Sequence, residues 1–165
     1  MLPCVGAVLF CNGIWVLGHI QDREIAVINV LVGTTSFLAA MHSIFQHTHE
    51  TIVFGAHVLL FAFTYLWVAF NRFNGADGRG LGWYSLFVAI TAIPTRLTIL
   101  AGAGGKVWAT WLGLNWLAWA GLWFLYFLLL TIQKPVSRVT GWITVLQAIF
   151  TGWIPGYLLL AGYIS

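Results

Sequence analysis

Charge is what this sequence has least of. Only 7% of its 165 residues are Asp, Glu, Lys or Arg, where a soluble domain carries about a quarter, and 61% are hydrophobic. A chain so composed cannot cover itself with a water-facing surface, which excludes a soluble globule. The acidic residues number four, Asp22, Glu24, Glu50 and Asp77, and all fall in connections or at expected helix ends. No pair of carboxylates, no nucleophile with a base and no phosphate-binding loop can be assembled, so neither catalytic residues nor a cofactor is expected. Cysteine is also scarce. Cys4 and Cys11 stand seven apart in one apolar run, out of reach of each other for a disulfide, and are expected to be packing residues. The net charge of +3 is small and sits mainly in alternate connections, so it speaks of topology and not of nucleic acid.

What the chain does have is long apolar runs, with a mean hydropathy of +0.92. Their unbroken apolar character excludes a β-barrel, whose strands alternate polar and apolar residues. An all-α integral membrane bundle is expected, with six spans at roughly 2–18, 25–45, 52–71, 83–101, 108–132 and 142–163, each near the ~20 residues that cross a bilayer. No basic residue precedes the first run, and its first charges, Asp22, Arg23 and Glu24, follow it, so it is not read as a cleavable signal peptide. Arg23, Arg72, Arg79, Lys134 and Arg138 fall in the first, third and fifth connections, whereas the second and fourth hold only Lys106, with Arg96 nearby in the fourth span. Positive-inside then puts both termini outside.

The Gly-rich stretch from Asn71 to Gly82 divides the chain into two sets of three spans. Three is odd, so the halves would enter the membrane in opposite orientations, as in an inverted repeat, although no sequence repeat supports it. The whole is read as one transmembrane domain, 1–165. Pro94 and Pro155, inside the fourth and sixth spans, are expected to kink them.

No carboxylate is expected in the membrane interior, where an ion-coupled carrier usually keeps one. The polar residues at depth are Asn12, Asn29, Thr64, Ser85, Thr91, Asn115, Gln147 and Thr151, for which hydrogen bonds between helices are the plain explanation. Arg96 is expected to extend to the outer surface. His42, His47, His49 and His57 cluster with Glu50 around the second connection, but their spacing is too loose to argue for a metal site.

The densest feature is Trp108 to Trp123, WATWLGLNWLAWAGLW, which holds five of the ten tryptophans. At 100° per residue Leu112, Trp116, Trp119 and Trp123 share one helix face. Trp108 and Trp111 suit an interfacial belt, while Trp116 to Trp123 lie deeper, which leaves a pore lining and plain helix packing as the two readings.

Long segments in order, VGAVLFCNG, AVINVLVG, LLFAFTYLWVAFN, WYSLFVAITAIP, NWLAWAGLW and TGWIPGYLLL, resemble the bacterial urea and short-chain amide channels, the AmiS/UreI family, nearly end to end. The resemblance implies a six-helix protomer of two three-helix halves with its own pore, assembled as a homohexamer in the bacterial cytoplasmic membrane. It implies a pore lined by Leu2, Val5 and Leu9 of the first span, Phe61 and Tyr65 of the third, and Trp116, Trp119, Leu122 and Trp123 of the fifth. Helical spacing agrees, since Val5 with Leu9 and Phe61 with Tyr65 are each one turn apart.

Acid-gated members have a long histidine-rich first outer loop, but here Gln46 to Thr51 is a short turn. They carry a glutamate where this chain has Gln147. An ungated pore is therefore expected, passing urea or other small neutral amides, with Tyr65 and Gln147 as polar contacts and Trp119 with Trp123 as the constriction. A link to a cytoplasmic urease or amidase would follow from the family. The rivals are an ion-coupled amide transporter and a structural membrane subunit that conducts nothing.

Overall fold

In a bilayer every backbone N–H and C=O must find its partner within the protein, and apolar runs of this length satisfy that demand by coiling into helices. The computed structural model describes Leu2 to Ile164, and among these residues there are helices and turns but no strand. Met1 and Ser165, the outer residues of the expected domain, lie outside the described residues. The helices are α1 (Leu2–Val16), α2 (Asp22–Ile44), α3 (His49–Asn74), α4 (Arg79–Ala101), α5 (Val107–Leu130) and α6 (Ser137–Gln147). The last of these continues through a π-helical segment, Ala148–Trp153, into α7 (Ile154–Leu160).

Local chemistry explains the ends. Thr48 caps α3 through a reciprocal capping box with Thr51, and Gly75 closes the same helix in the left-handed conformation at φ 65°. Asp22 and Glu24 occupy the first turn of α2, where the helix dipole favours negative charge.

The span count differs from expectation at the start of the chain. Among the described residues five stretches are long and apolar enough to cross a membrane, the last being Ser137–Leu160. The first, α1, is apolar but only 15 residues long, about 22 Å at 1.5 Å per residue. It stops short of the expected 2–18 because Gly18, at φ 90°, turns the chain while Gly18 and His19 bond back to Trp15 and Ile14.

Successive helices alternate in direction. Trp15, Asp22, Arg72, Gly78 and Leu130 therefore gather at one end, called here the basic end, and Leu2, His49, Ile99, Trp108 and Leu160 at the other, the histidine end. The packing is arranged in pairs: α2 lies along α3, α4 along α5, and α1 along the sixth span, with sparser contact between pairs.

The pair formed by the first and last spans closes the ring, and it does so backbone to backbone. A Cβ on Gly6 would sit 2.6 Å from the Trp153 nitrogen, and one on Gly152 would sit 2.6 Å from the Gly6 Cα, closer than any side chain permits. The π-helical segment lies at this seam. Pro155 has no N–H to give the Thr151 carbonyl and its ring would crowd that oxygen, so the wide turn just before it absorbs the misfit. Pro94, by contrast, is held within a continuous α4.

The expectation of helix-to-helix hydrogen bonds for the buried polar residues holds for some. Asn12 and Asn29 exchange amide bonds at 3.1 and 2.6 Å between α1 and α2. Thr64, Ser85 and Thr91 instead donate to carbonyls four residues back in their own helices, which satisfies a hydroxyl without a partner helix. Cys4 is exposed and Cys11 half-buried, so only the second has a packing role; both are free thiols. Arg96 does not reach out fully: it is half-buried, with its Nε enclosed and without a partner.

Candidate functional site: two cavities and an aromatic partition

Two cavities enter the bundle from opposite ends. The one at the histidine end is wide, about 880 Å³, and is lined by Leu2, Val5, His49, Glu50, His57 and Trp116 among others. The one at the basic end is about 80 Å³ and is lined by residues that include Leu9, Asn12, Tyr65, Leu122, Trp123 and Tyr126. Only Phe61 and Trp119 belong to both linings. Their rings are the partition between the cavities.

The partition is built from helix register. Phe61 on α3 faces three tryptophans spaced four, three and four residues from Leu112 along α5. Its ring centroid is 5.8 Å from Trp116, 5.0 Å from Trp119 and 4.9 Å from Trp123, with interplanar angles of 69°, 82° and 58°. Edge-to-face contacts of this kind are worth about 0.5–1.5 kcal/mol each beyond the area they bury. The indoles of Trp116, Trp119 and Trp123 are all buried.

The two sides of the partition are held differently. Trp119 donates its Nε1–H to Thr151 Oγ1 at 2.9 Å, and that hydroxyl donates to the Gln147 carbonyl at 2.6 Å. Thr151 lies in the π-helical segment, so the irregular turn of the sixth span fixes the indole. Phe61 has no polar atom and is held by packing alone, against the tryptophan rings and the cluster of Val5, Leu9, Tyr65 and Leu122.

The polar groups near the path are only partly spent on one another. Tyr126 lies 3.1 Å from Thr144 Oγ1, whose single proton goes to the Thr140 carbonyl at 2.7 Å, so Tyr126 is the donor and keeps its oxygen lone pairs free to accept. At the far side of the partition, Thr95 lies 3.3 Å from His57 Nε2, and His57 packs 5.0 Å from Trp116. All four carboxylates sit at the first or second residue of a helix, in its first turn, or in a connection, none at depth. No group of three metal-ligating side chains comes together among the described residues.

Of the residues proposed from sequence, Leu2, Val5 and Trp116 line the wide cavity, and Leu9, Tyr65, Leu122 and Trp123 the narrow one, with Phe61 and Trp119 between. Gln147 lines neither. Its amide nitrogen donates to the Ala118 carbonyl at 2.8 Å, which ties the sixth span to α5 behind the tryptophans. Sequence reasoning passed over Trp15, Asp22 and Arg72, which meet at the mouth of the narrow cavity. No periodicity marks them, since they lie at helix ends on three different elements. It also weighed Thr151 only as a buried hydroxyl, because the donor it serves lies 32 residues away.

An alternating bundle of apolar helices, pierced from both ends and divided at its waist by aromatic rings, defines a multi-pass membrane protein of solute passage. The chain belongs to the AmiS/UreI family: residues 1–163 match the model of the AmiS/UreI family transporters. This is a family of membrane transport proteins and not of enzymes. AmiS2 of Rhodococcus erythropolis, described as a transporter, is 35% identical over 96% of this chain and 76% of its own length. The acid-activated urea channel of Helicobacter pylori is 35% identical over 96% of this chain and 95% of its own. The crystal structure of the urea channel from H. pylori superposes with a TM-score of 0.87 at 34% identity, covering 99% of this chain and 97% of that one. A structure of that channel in a closed state gives the same TM-score and coverage.

Proposed function

We propose that this protein is a passive channel for urea or other short-chain neutral amides, and that the observation carrying this reading is the aromatic partition where the two cavities meet. A hydrated ion at Phe61 and Trp119 would lose its water to apolar rings with no charge to replace it, which is prohibitive. A small planar amide loses less, and its N–H groups can rest on ring faces, a contact of order 0.5 kcal/mol, weak enough to let it leave. Phe61 is the wall that yields, since Trp119 is pinned by Thr151. Tyr65, with the acceptor oxygen of Tyr126, receives the amide in the narrow cavity; Gln147 supports the wall and does not touch the solute. The urea channel among its relatives supports the substrate class, and the absence of an Asp or Glu side chain at depth supports a channel over an ion-coupled carrier.

In this reading the chain is one channel domain of two oppositely inserted three-span halves, with α1 as a short sixth span. The basic end faces the cytoplasm and both termini lie outside. A homohexamer in the bacterial inner membrane, serving a cytoplasmic urease or amidase, fits the family. Acid gating does not belong to it. The turn from Phe45 to Thr48 is short, and the alignment with the acid-activated channel runs over 189 positions against 161 with AmiS2, so insertions present there are missing here. Uptake of labelled acetamide into proteoliposomes, with and without a proton gradient, tests the proposal. Equilibration to the outside concentration in both cases is expected; accumulation above it would establish a carrier, and no protein-dependent entry would leave a structural subunit.

A further inference from the structure

The mouth of the narrow cavity holds an arrangement that the apolar path does not require. Arg72, near the end of α3, donates from Nη1 to Asp22 Oδ2 at 3.0 Å and from Nη2 to the Ala76 carbonyl at 3.0 Å. Its guanidinium carbon lies 5.3 Å from the centroid of the Trp15 ring, and Trp15 in turn donates Nε1–H to the other oxygen of Asp22 at 2.8 Å. Three helices thus meet in a closed cycle: α1 gives the indole, α2 the carboxylate and α3 the guanidinium. The side chain is fixed in position before any solute arrives.

The two charges do not face the same way. The Asp22 side chain is 59% exposed and the Arg72 side chain 18%, and Arg72 and Trp15 line the cavity while Asp22 does not. The carboxylate is therefore solvated outside and the positive charge is turned toward the path. A guanidinium has five N–H donors in a rigid plane, and two are engaged by Asp22 and Ala76. The remainder can serve an acceptor coming from the cavity. The lining around it is mainly apolar, with Val16, Leu81, Leu129 and Leu130, and the buried Asn71 amide is the nearest other polar group in sequence.

We propose that Arg72, pinned by Asp22 and Trp15, is a recognition subsite for the carbonyl oxygen of the permeating amide, and that its charge bars small cations such as ammonium from the same mouth. This rests on the neutral-amide channel reading. A carbonyl oxygen accepts from the fork of N–H groups as it leaves the partition, whereas an ammonium-type ion of similar size has no acceptor and meets a like charge.

The test uses the full chain in proteoliposomes, with acetamide entry followed by light scattering and labelled methylammonium uptake measured in parallel. Arg72→Gln is expected to raise the methylammonium-to-acetamide ratio by about tenfold and to slow acetamide by about threefold. Arg72→Lys keeps the charge but not the planar fork, so it should exclude methylammonium as the wild type does while slowing acetamide by about threefold. A merely structural arginine would alter total flux through yield of folded protein but not the ratio of the two solutes. If the glutamine variant does not fold, the lysine variant still decides: acetamide flux equal to wild type per folded protein overturns the carbonyl subsite. A glutamine variant with the wild-type ratio overturns the cation barrier. Failure of the wild type to pass acetamide at all is a separate result, and it would overturn the channel reading together with this subsite.

Discussion

The two ends of this molecule solve opposite problems. At the histidine end a cavity of about 880 Å³ opens between helices, with a single polar Thr95–His57 contact at 3.3 Å joining side chains of its lining. At the basic end a cavity of about 80 Å³ is drawn tight by a salt bridge, an indole hydrogen bond and a ring stacked under a guanidinium. The partition between them is closer in character to the narrow side, because its fixed member, Trp119, is also held by a hydrogen bond. In the channel and orientation proposed above, width at one end and constraint at the other would admit a solute without discrimination and sort it afterwards.

The comparison breaks most completely if the partition goes. Trp119→Ala removes the pinned ring, leaves Thr151 without its donor, and joins the two cavities; truncating a buried tryptophan destabilises by about 3–5 kcal/mol. Loss of size selectivity by at least tenfold is expected, read as entry of glycerol or larger polyols relative to acetamide in proteoliposomes. A second variant, Gly152→Val, attacks the seam behind the partition. The added side chain meets Gly6 backbone that cannot move aside, so a monodisperse peak in detergent should be lost, checked by fluorescence-detected size-exclusion chromatography.

Adding the same bulk at each end sharpens the contrast. Leu129→Trp in the narrow cavity is expected to slow acetamide by about fivefold, and Leu159→Trp in the wide one by less than about twofold, both from stopped-flow rates. The smaller effect belongs to Thr151→Val, which keeps the shape and strands the Trp119 N–H; a loss of about 1–3 kcal/mol in stability and a change in flux of about threefold should follow. The smallest is at the wide mouth. His49 opens α3 more than three turns before Phe61, so His49→Gln should leave acetamide entry within about twofold of wild type between pH 5 and 8.

Much of the fold could be read from residue order, because long apolar runs separated by charged turns admit few arrangements in a bilayer. The tryptophan register on α5 also carried through: Trp116, Trp119 and Trp123 do share a face, and Phe61, which the family resemblance implied, packs against it. What could not be read is what depends on the third dimension. Gln147 sits one helical turn before Thr151, yet the first ties helices together behind the tryptophans while the second pins the partition, and nothing in their spacing separates the roles. Trp15, Asp22 and Arg72 were legible only as an aromatic at a helix end and charges that set topology. The π-helical segment had a trace in Pro155, but a proline announces a break in hydrogen bonding and not the form it takes.

The most direct test of the partition as the sorting element is stopped-flow light scattering of proteoliposomes carrying the wild type or Trp119→Ala, under inward gradients of acetamide, urea and glycerol with no ion gradient. The account predicts fast entry of acetamide or urea with glycerol excluded in the wild type, and entry of all three in the variant. Equal solute preference in the two proteins, each shown to be folded, would contradict it.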